Sequence, residues 1–172
     1  MIGAGYVGLT SGAVFSDLGN TVWVVRRDKK KIENLKRGIV PIYEPGLSEI
    51  VKRNVQAGRL IPTTEYLECV PYADVVFIAV GTPEGEKGAD LSQVVEAAKE
   101  IAKNLKVGYT VIVDKSTVPP GTADQVIKII NRYKRFGASF DVVSSPEFLR
   151  EGSAVLDTQK PDRVVIGSNS ER

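Results

Sequence analysis

The chain opens on "MIGAGYVGLTSG" (residues 1–12), in which Gly3, Gly5 and Gly8 keep the spacing G-x-G-x-x-G. That spacing normally lies between a buried strand and a helix N-terminus. Its physical logic is specific. Gly3 permits the tight turn, Gly5 lets a pyrophosphate approach the backbone, and Gly8 lets the helix pack closely on the sheet. The helix start then offers free N–H groups and a partial positive charge. By itself the motif is weak, and a flexible glycine-containing tail is the plainer alternative. Only Met1 and Ile2 precede the first glycine, so the first strand is expected to be very short.

The rest of the chain supplies the context. Tyr6 to Leu18 is small and apolar and stops at Gly19-Asn20, which reads as the first helix. "TVWVV" (21–25) reads as a strand, and Asp28 is placed to cap a helix through "KKKIENLKRG" that stops at Gly38. "IVPIYEPGL", with Pro41, Pro45 and Gly46, is a loop. "LSEIVKRNVQAG" resumes helical spacing with Leu47, Ile50, Val51 and Val55 on one face. "LIPTT" is a short strand near an edge, because Pro62 cannot donate to a ladder.

"ADVVFIAVGTP" (73–83) is a continuous apolar run ending in a turn, the pattern of a parallel strand covered on both faces. A helix follows, capped at Asp90, with Val94, Val95, Ala98, Ile101 and Leu105 at helical spacing. Then come a buried strand "YTVIVDKST", a helix "PGTADQVIKIINRYK", a strand "FDVVSSPEF" and a last strand "DRVVIG". Strands and helices alternate throughout. The reading is therefore an α/β fold, a Rossmann-like doubly wound parallel sheet with a shortened first strand, in one domain over residues 1–172. In such sheets ligands lie beyond the carboxyl ends of the strands.

Composition narrows the chemistry. Of 172 residues 26% are charged, the net charge is +2, and there is no histidine and one cysteine. Nucleic acid and membrane are not expected as partners, histidine-based acid/base or zinc chemistry is excluded, and no metal site is expected. No stretch approaches the roughly 18 to 20 apolar residues of a membrane span, and no signal peptide is evident, so a cytoplasmic location is expected.

Taken together, "GAGYVG", "PIYEPGL", "VGTP", "KSTVPPGT" and "SPEFLREGSA" followed by "PDRVVIG" resemble, in this order and spacing, the cofactor-binding half of the UDP-glucose 6-dehydrogenase family. That broader class also oxidises GDP-mannose and UDP-N-acetylmannosamine. The resemblance spans essentially the whole chain. It implies a two-step oxidation of a sugar primary alcohol to a carboxylate, here UDP-glucose to UDP-glucuronate, through a cysteine-bound thiohemiacetal and thioester. The family's nucleophilic cysteine, its linking helix and its substrate domain have no counterpart in this sequence, which ends at "SNSER". The chain alone is therefore expected to bind cofactor without turnover, and this portion of a homodimeric family to be monomeric or to associate abnormally. A stand-alone, non-catalytic dinucleotide-binding module, natural or engineered, is the alternative. Cys69, on the weak helix "EYLECV", reads as a small packing residue.

The resemblance also implies roles by position. Gly3, Gly5, Tyr6, Val7 and Gly8 would form the cofactor turn, and Val80, Gly81, Thr82 and Pro83 the turn passing under the cofactor, with Ser116, Thr117 and Glu151 also facing it. Thr117 matches the threonine that holds a catalytic water or the reacting hydroxyl. Glu147 matches the carboxylate that works with that water as general base. Glu147, Phe148, Leu149, Arg150 and Glu151 would line the sugar-nucleotide side. Ser145 stands where the family usually has asparagine, a departure expected to matter little.

A larger departure lies about 20 residues beyond the glycines, where the family places an aspartate for the ribose 2′-hydroxyl. This chain has Arg26, followed by Arg27, with Lys31 one turn into the next helix. A guanidinium donates in a fork that suits phosphate, the reverse of a carboxylate. The cofactor is thus NAD or NADP, with NADP favoured; solvated arginines and retained NAD binding are the alternative. The family also has several apolar residues before Gly3. A sheet weak at its middle is expected, unless another segment fills that slot.

Overall fold

A computed structural model describes residues 1–85 and 88–171, which divide into two compact units. The first comprises Met1–Glu65 with Phe148–Val164, the second Tyr66–Glu147 with Val165–Arg172.

The first unit begins with Ile2, which makes a single parallel bridge to Val25; Val25 N–H donates to Met1 O at 2.9 Å and Gly3 N–H to Val25 O at 3.0 Å. The first strand is thus reduced to one bridge, as its length predicts. Helix α1 (Tyr6–Asp17) follows, then strand β1 (Val22–Val25), helices α2 (Lys29–Lys36) and α3 (Leu47–Gln56), and strand β2 (Leu60–Thr63). Strands β1 and β2 are parallel, with Pro62 opposite Val24. Asp28 caps α2 by accepting from Lys31 N–H at 3.0 Å.

Helix α1 lies very close to β1. A Cβ built on Gly12 would stand 3.1 Å from Val24 Cγ2 and 3.5 Å from Val22 Cγ1. The close helix–strand approach expected at Gly8, which is itself buried, is therefore measured one turn further on. At its C-terminal end α1 is tied to α3: Asp17 accepts from Arg53 Nε at 2.7 Å and from Asn54 Nδ2 at 2.9 Å. These donors hold the Asp17 carboxyl down at about 2.

The second unit starts with two short 3-10 turns, Tyr66–Glu68 and Val70–Tyr72, where a weak helix was expected. Strand β3 (Val75–Ile78), a two-residue antiparallel pair β4 (Glu84–Gly85) and β5 (Gly88–Ala89), helix α4 (Ser92–Asn104), strand β6 (Gly108–Asp114), helix α5 (Thr122–Tyr133) and strand β7 (Ala138–Ser144) follow. Chain order then returns to the first unit for helix α6 (Ala154–Gln159) and to the second for strand β8 (Gly167–Ser168). In the second unit the sheet order is β3-β6-β7-β8, with β3, β6 and β7 parallel and β8 antiparallel to β7.

Several expectations need correction. The run 73–83 forms a ladder only over Val75–Ile78, and Val75 is 44% exposed. Beyond Ile78 the backbone of Val80 bonds to the Ser116 hydroxyl instead of a neighbouring strand. "DRVVIG" is not a strand: pairing with β7 begins only at Gly167, and Val164, Val165 and Ile166 are exposed. Their β-branched side chains lack the pleated, half-buried surface that makes such residues favour strands. Helix α4 starts two residues after Asp90, whose Oδ1 accepts from Ser92 N–H at 2.8 Å. Helix α6 is absent from the expected order of elements. No helix among the described residues is long and apolar enough to cross a membrane.

The Gly12 contact predicts a stability effect. Gly12→Val should destabilise the protein by about 1–3 kcal/mol through overpacking against Val24, read by chemical denaturation; a midpoint unchanged or raised would show that α1 can withdraw from β1 without loss.

Candidate functional site

In the first unit the turn before α1 is built for close approach. Gly3 has φ +109°, a conformation in which only glycine is unstrained. Gly5 occupies the cap of α1 with no side-chain hydrogen bond, and a Cβ placed on it would meet nothing within 4 Å. The space over Gly5 is open, and the N–H groups of Tyr6, Val7 and Gly8 are first-turn donors that the helix cannot itself satisfy. An anionic pyrophosphate fits this arrangement, by donor geometry and by the sign of the helix dipole.

Arg26 follows β1 directly, and its half-buried side chain turns back to this loop, where Nη1 donates to Ala4 O at 2.9 Å. It is therefore held at the glycine turn. Arg27 is exposed, and Lys31 is half-buried on the first turn of α2.

The segment 148–151 belongs to the same unit. Phe148 is 55% exposed and stacks under the Arg163 guanidinium, 5.5 Å from its ring centroid. Arg150 is engaged by Asp157, with Nε to Oδ2 at 3.1 Å and Nη2 to Oδ1 at 2.6 Å, and its own N–H also donates to Oδ2. Asp157 is held at about 2 by these bonds. Leu149 is half-buried and Glu151 exposed.

Sequence reasoning missed Glu44, inside the "PIYEPGL" loop. It is 4% exposed, and its carboxylate accepts from the Tyr6 hydroxyl, from Gly152 N–H at 2.9 Å and from Ala154 N–H at 2.8 Å. Burial opposes its charge, yet the Tyr6 hydroxyl and the backbone donors outweigh burial and hold the carboxyl below its ordinary value. Burial and the adjacent carboxylate push the Tyr6 phenol up to about 12. An acid between two prolines in a loop was the available signal, but loop acids usually face water.

In the second unit three loops leave adjacent strands. Register places Ile78 beside Asp114 and Asp114 beside Ser144. Ser116, 7% exposed, accepts from Val80 N–H at 3.1 Å and donates to Val80 O at 2.9 Å. Thr82 Oγ1 donates to Thr117 O at 2.7 Å. The turns Val80–Pro83 and Ser116–Thr117 are thus laced together, with Gly81, Pro83 and the Thr117 side chain facing solvent. Ser145 N–H donates to Asp114 O at 2.9 Å, a backbone bond that does not depend on which side chain stands at 145. Glu147 is half-buried at the end of that loop, and its charge partly offsets the burial that lowers the Lys115 ammonium.

Cys69 is 4% exposed, and burial pushes its thiol up. That is the reverse of what a nucleophilic thiolate needs. Asp114 is the unforeseen titratable group: it is 2% exposed, Oδ1 accepts only a 3.2 Å bond from Ser116 N–H, Oδ2 has no partner, and burial pushes its pKa up to about 6.

A raised carboxylate pKa has a definite sign. The native state favours neutral Asp114, so its stabilising contribution is full below the unfolded value near 3.8 and is lost as pH rises through about 6. Asp114→Asn should raise stability at pH 7 by an amount on the order of 2 kcal/mol and flatten the decline between pH 4 and 7. Denaturant melts across that range check it; a parallel downward shift at every pH would contradict the assignment.

Residues 1–172 match the profile of the UDP-glucose/GDP-mannose dehydrogenase family, NAD binding domain. The chain is 56% identical over 169 residues to a UDP-glucose 6-dehydrogenase of Rhizobium meliloti (strain 1021), covering 97% of this chain and 38% of the relative. It is 50% identical over 173 residues to UDP-glucose 6-dehydrogenase TuaD of Bacillus subtilis (strain 168), covering 100% and 37%. Among solved structures, a UDP-glucose dehydrogenase from the archaeon Pyrobaculum islandicum superposes with a TM-score of 0.94 at 41% identity, over 99% of this chain and 40% of that one. The GDP-mannose dehydrogenase of Pseudomonas aeruginosa, solved as a ternary complex, gives 0.91 at 38%, over 97% and 40%. The chain spans about two fifths of the length of these relatives. It belongs to the UDP-glucose/GDP-mannose dehydrogenase family and carries that family's NAD-binding domain, with its Rossmann-like α/β fold.

Proposed function

We propose that residues 1–172 act as the dinucleotide-binding domain of a nucleotide-sugar dehydrogenase that oxidises UDP-glucose to UDP-glucuronate in two steps. The observation that carries this reading is the uncapped start of α1 behind Gly5, open to an anion, in a chain 56% identical to a UDP-glucose 6-dehydrogenase.

In the first unit the N–H groups of Tyr6, Val7 and Gly8 would hold the pyrophosphate; in the second, the turn Val80–Pro83, braced by Ser116, would be a cofactor-binding turn. When bound, the dinucleotide supplies the hydride acceptor. Thr117 orients a water or the reacting hydroxyl, and Glu147 takes the proton of the hydrolytic water onto its carboxylate. Residues 148–151 face the sugar nucleotide. Arg150 does so from a backbone pinned by Asp157, so its main chain is preorganised while its guanidinium is already paired.

Within this reading the preferred dinucleotide is NADP. Arg26 stands where the fold's acidic residue would meet a ribose 2′-hydroxyl, and the Ala4 carbonyl takes one of the guanidinium's five N–H donors. A 2′-phosphate there gains a charge-assisted partner; a 2′-hydroxyl gains much less. Arg27 and Lys31 add positive charge on the same stretch of chain.

Titration with both dinucleotides tests it. NADP should bind more tightly than NAD, and Arg26→Asp should weaken NADP by about tenfold or more, the loss of one hydrogen bond to a charged group. Equal binding, or tighter NAD binding, by the unaltered protein would overturn the preference.

A further inference from the structure

Glu44 has no role in the chemistry above, yet among the described residues of the first unit it is the most buried acid, 4% exposed. The Tyr6 hydroxyl and Gly152 N–H meet Oε2, Ala154 N–H meets Oε1, and Val155 N–H also supports the carboxylate. These donors come from two segments far apart in sequence. Tyr6 is the first residue of α1, in the cofactor turn. Residues 152–155 directly follow the segment 148–151 that faces the sugar nucleotide in the proposed reading.

A buried carboxylate that loses a donor bears the full desolvation cost of the vacancy, so neither segment can shift freely without the other. The link also has a second arrangement within reach. The Tyr6 hydroxyl carries one proton and faces two acceptors, Glu44 Oε2 and the Arg150 carbonyl at 3.2 Å. It can serve one fully at a time.

We propose that Glu44 is a positioning residue that couples the two ligand-facing segments: order imposed on the first turn of α1 by a dinucleotide passes through Tyr6 and the Glu44 carboxylate to the backbone at Gly152 and Ala154, and so to residues 148–151. This rests on the reading of Gly3–Gly8 as the dinucleotide turn. Linkage makes the effect reciprocal, so a sugar nucleotide held at 148–151 tightens dinucleotide binding by the same factor. The currency is conformational freedom rather than a new contact.

Amide hydrogen exchange at Gly152 and Ala154 tests the coupling, in the protein without ligand and saturated with NAD or NADP, binding being measured on the same samples. Saturation should raise protection of both amides by about fivefold or more, the low end of usual coupling factors. Tyr6→Phe keeps the ring and leaves the Glu44 bonds to Gly152 and Ala154 in place. At equal saturation this variant should show no ligand-dependent rise. Glu44→Gln should lower protection of the two amides even without ligand; should it fail to fold, Tyr6→Phe decides alone. Binding without any response at Gly152 and Ala154, or an undiminished rise in Tyr6→Phe, overturns the coupling while leaving the cofactor reading intact. If neither dinucleotide binds, the cofactor reading itself fails and the coupling falls with it.

Discussion

Three parallel strands that stop at the same level impose most of what the second unit does. Ile78, Asp114 and Ser144 lie side by side in the ladder of β3, β6 and β7, so three chains leave the sheet together and their backbone groups need new partners at once. Because β6 is the middle strand, its loop supplies them. Ser116 closes on Val80 from both sides, Ile78 O receives the N–H groups of Lys115 and Ser116, and Asp114 O receives that of Ser145. One small hydroxyl residue at this place does what a further ladder rung would do, and it leaves the turn Val80–Pro83 free to face outward. The same crowding accounts for Asp114, whose side chain is enclosed with half its acceptor capacity unused.

The first unit solves the same accounting problem with charge. Helix α6 has six residues and no side-chain cap of its own, and the missing acceptor comes from Glu44, 110 positions earlier in the chain. A carboxylate at a helix start satisfies orphan N–H groups and opposes the helix dipole favourably. Asp157 then binds Arg150 from inside α6. The segment after β7 is thus given a fixed backbone by two acids. At α1 the opposite choice is made: the cap is glycine, which offers the first-turn donors no side-chain acceptor.

Much of this was legible in the chain. Apolar composition and spacing located β1, α3, α4, β6, α5 and β7, and the glycine spacing marked the turn before α1. Where the reading failed, a tertiary partner had replaced a local one. The run 73–83 looked like a long strand because apolar composition cannot reveal that the Val80 backbone bonds to a serine hydroxyl. "DRVVIG" looked like a strand because β-branched residues signal a preference for pairing, not the presence of a neighbour to pair with. Helix α6 was invisible because its cap is remote.

The sequence by itself determined the class of fold, the order of most of its elements, the family, and the basic residue at position 26, since all of these are carried by residue type and spacing. Only the tertiary structure decided which polar groups are buried and what meets them. Glu44 and Glu147 are both loop glutamates in sequence; one is enclosed by the Tyr6 hydroxyl and the backbone donors, the other half-open. Likewise Asp114 and Asp157 each stand in an apolar or mixed segment, yet burial holds one up at about 6 and the Arg150 pairing holds the other down at about 2. Charge, solvation and donor supply are properties of what folds around a residue, and contacts between residues a hundred positions apart leave no mark on local pattern.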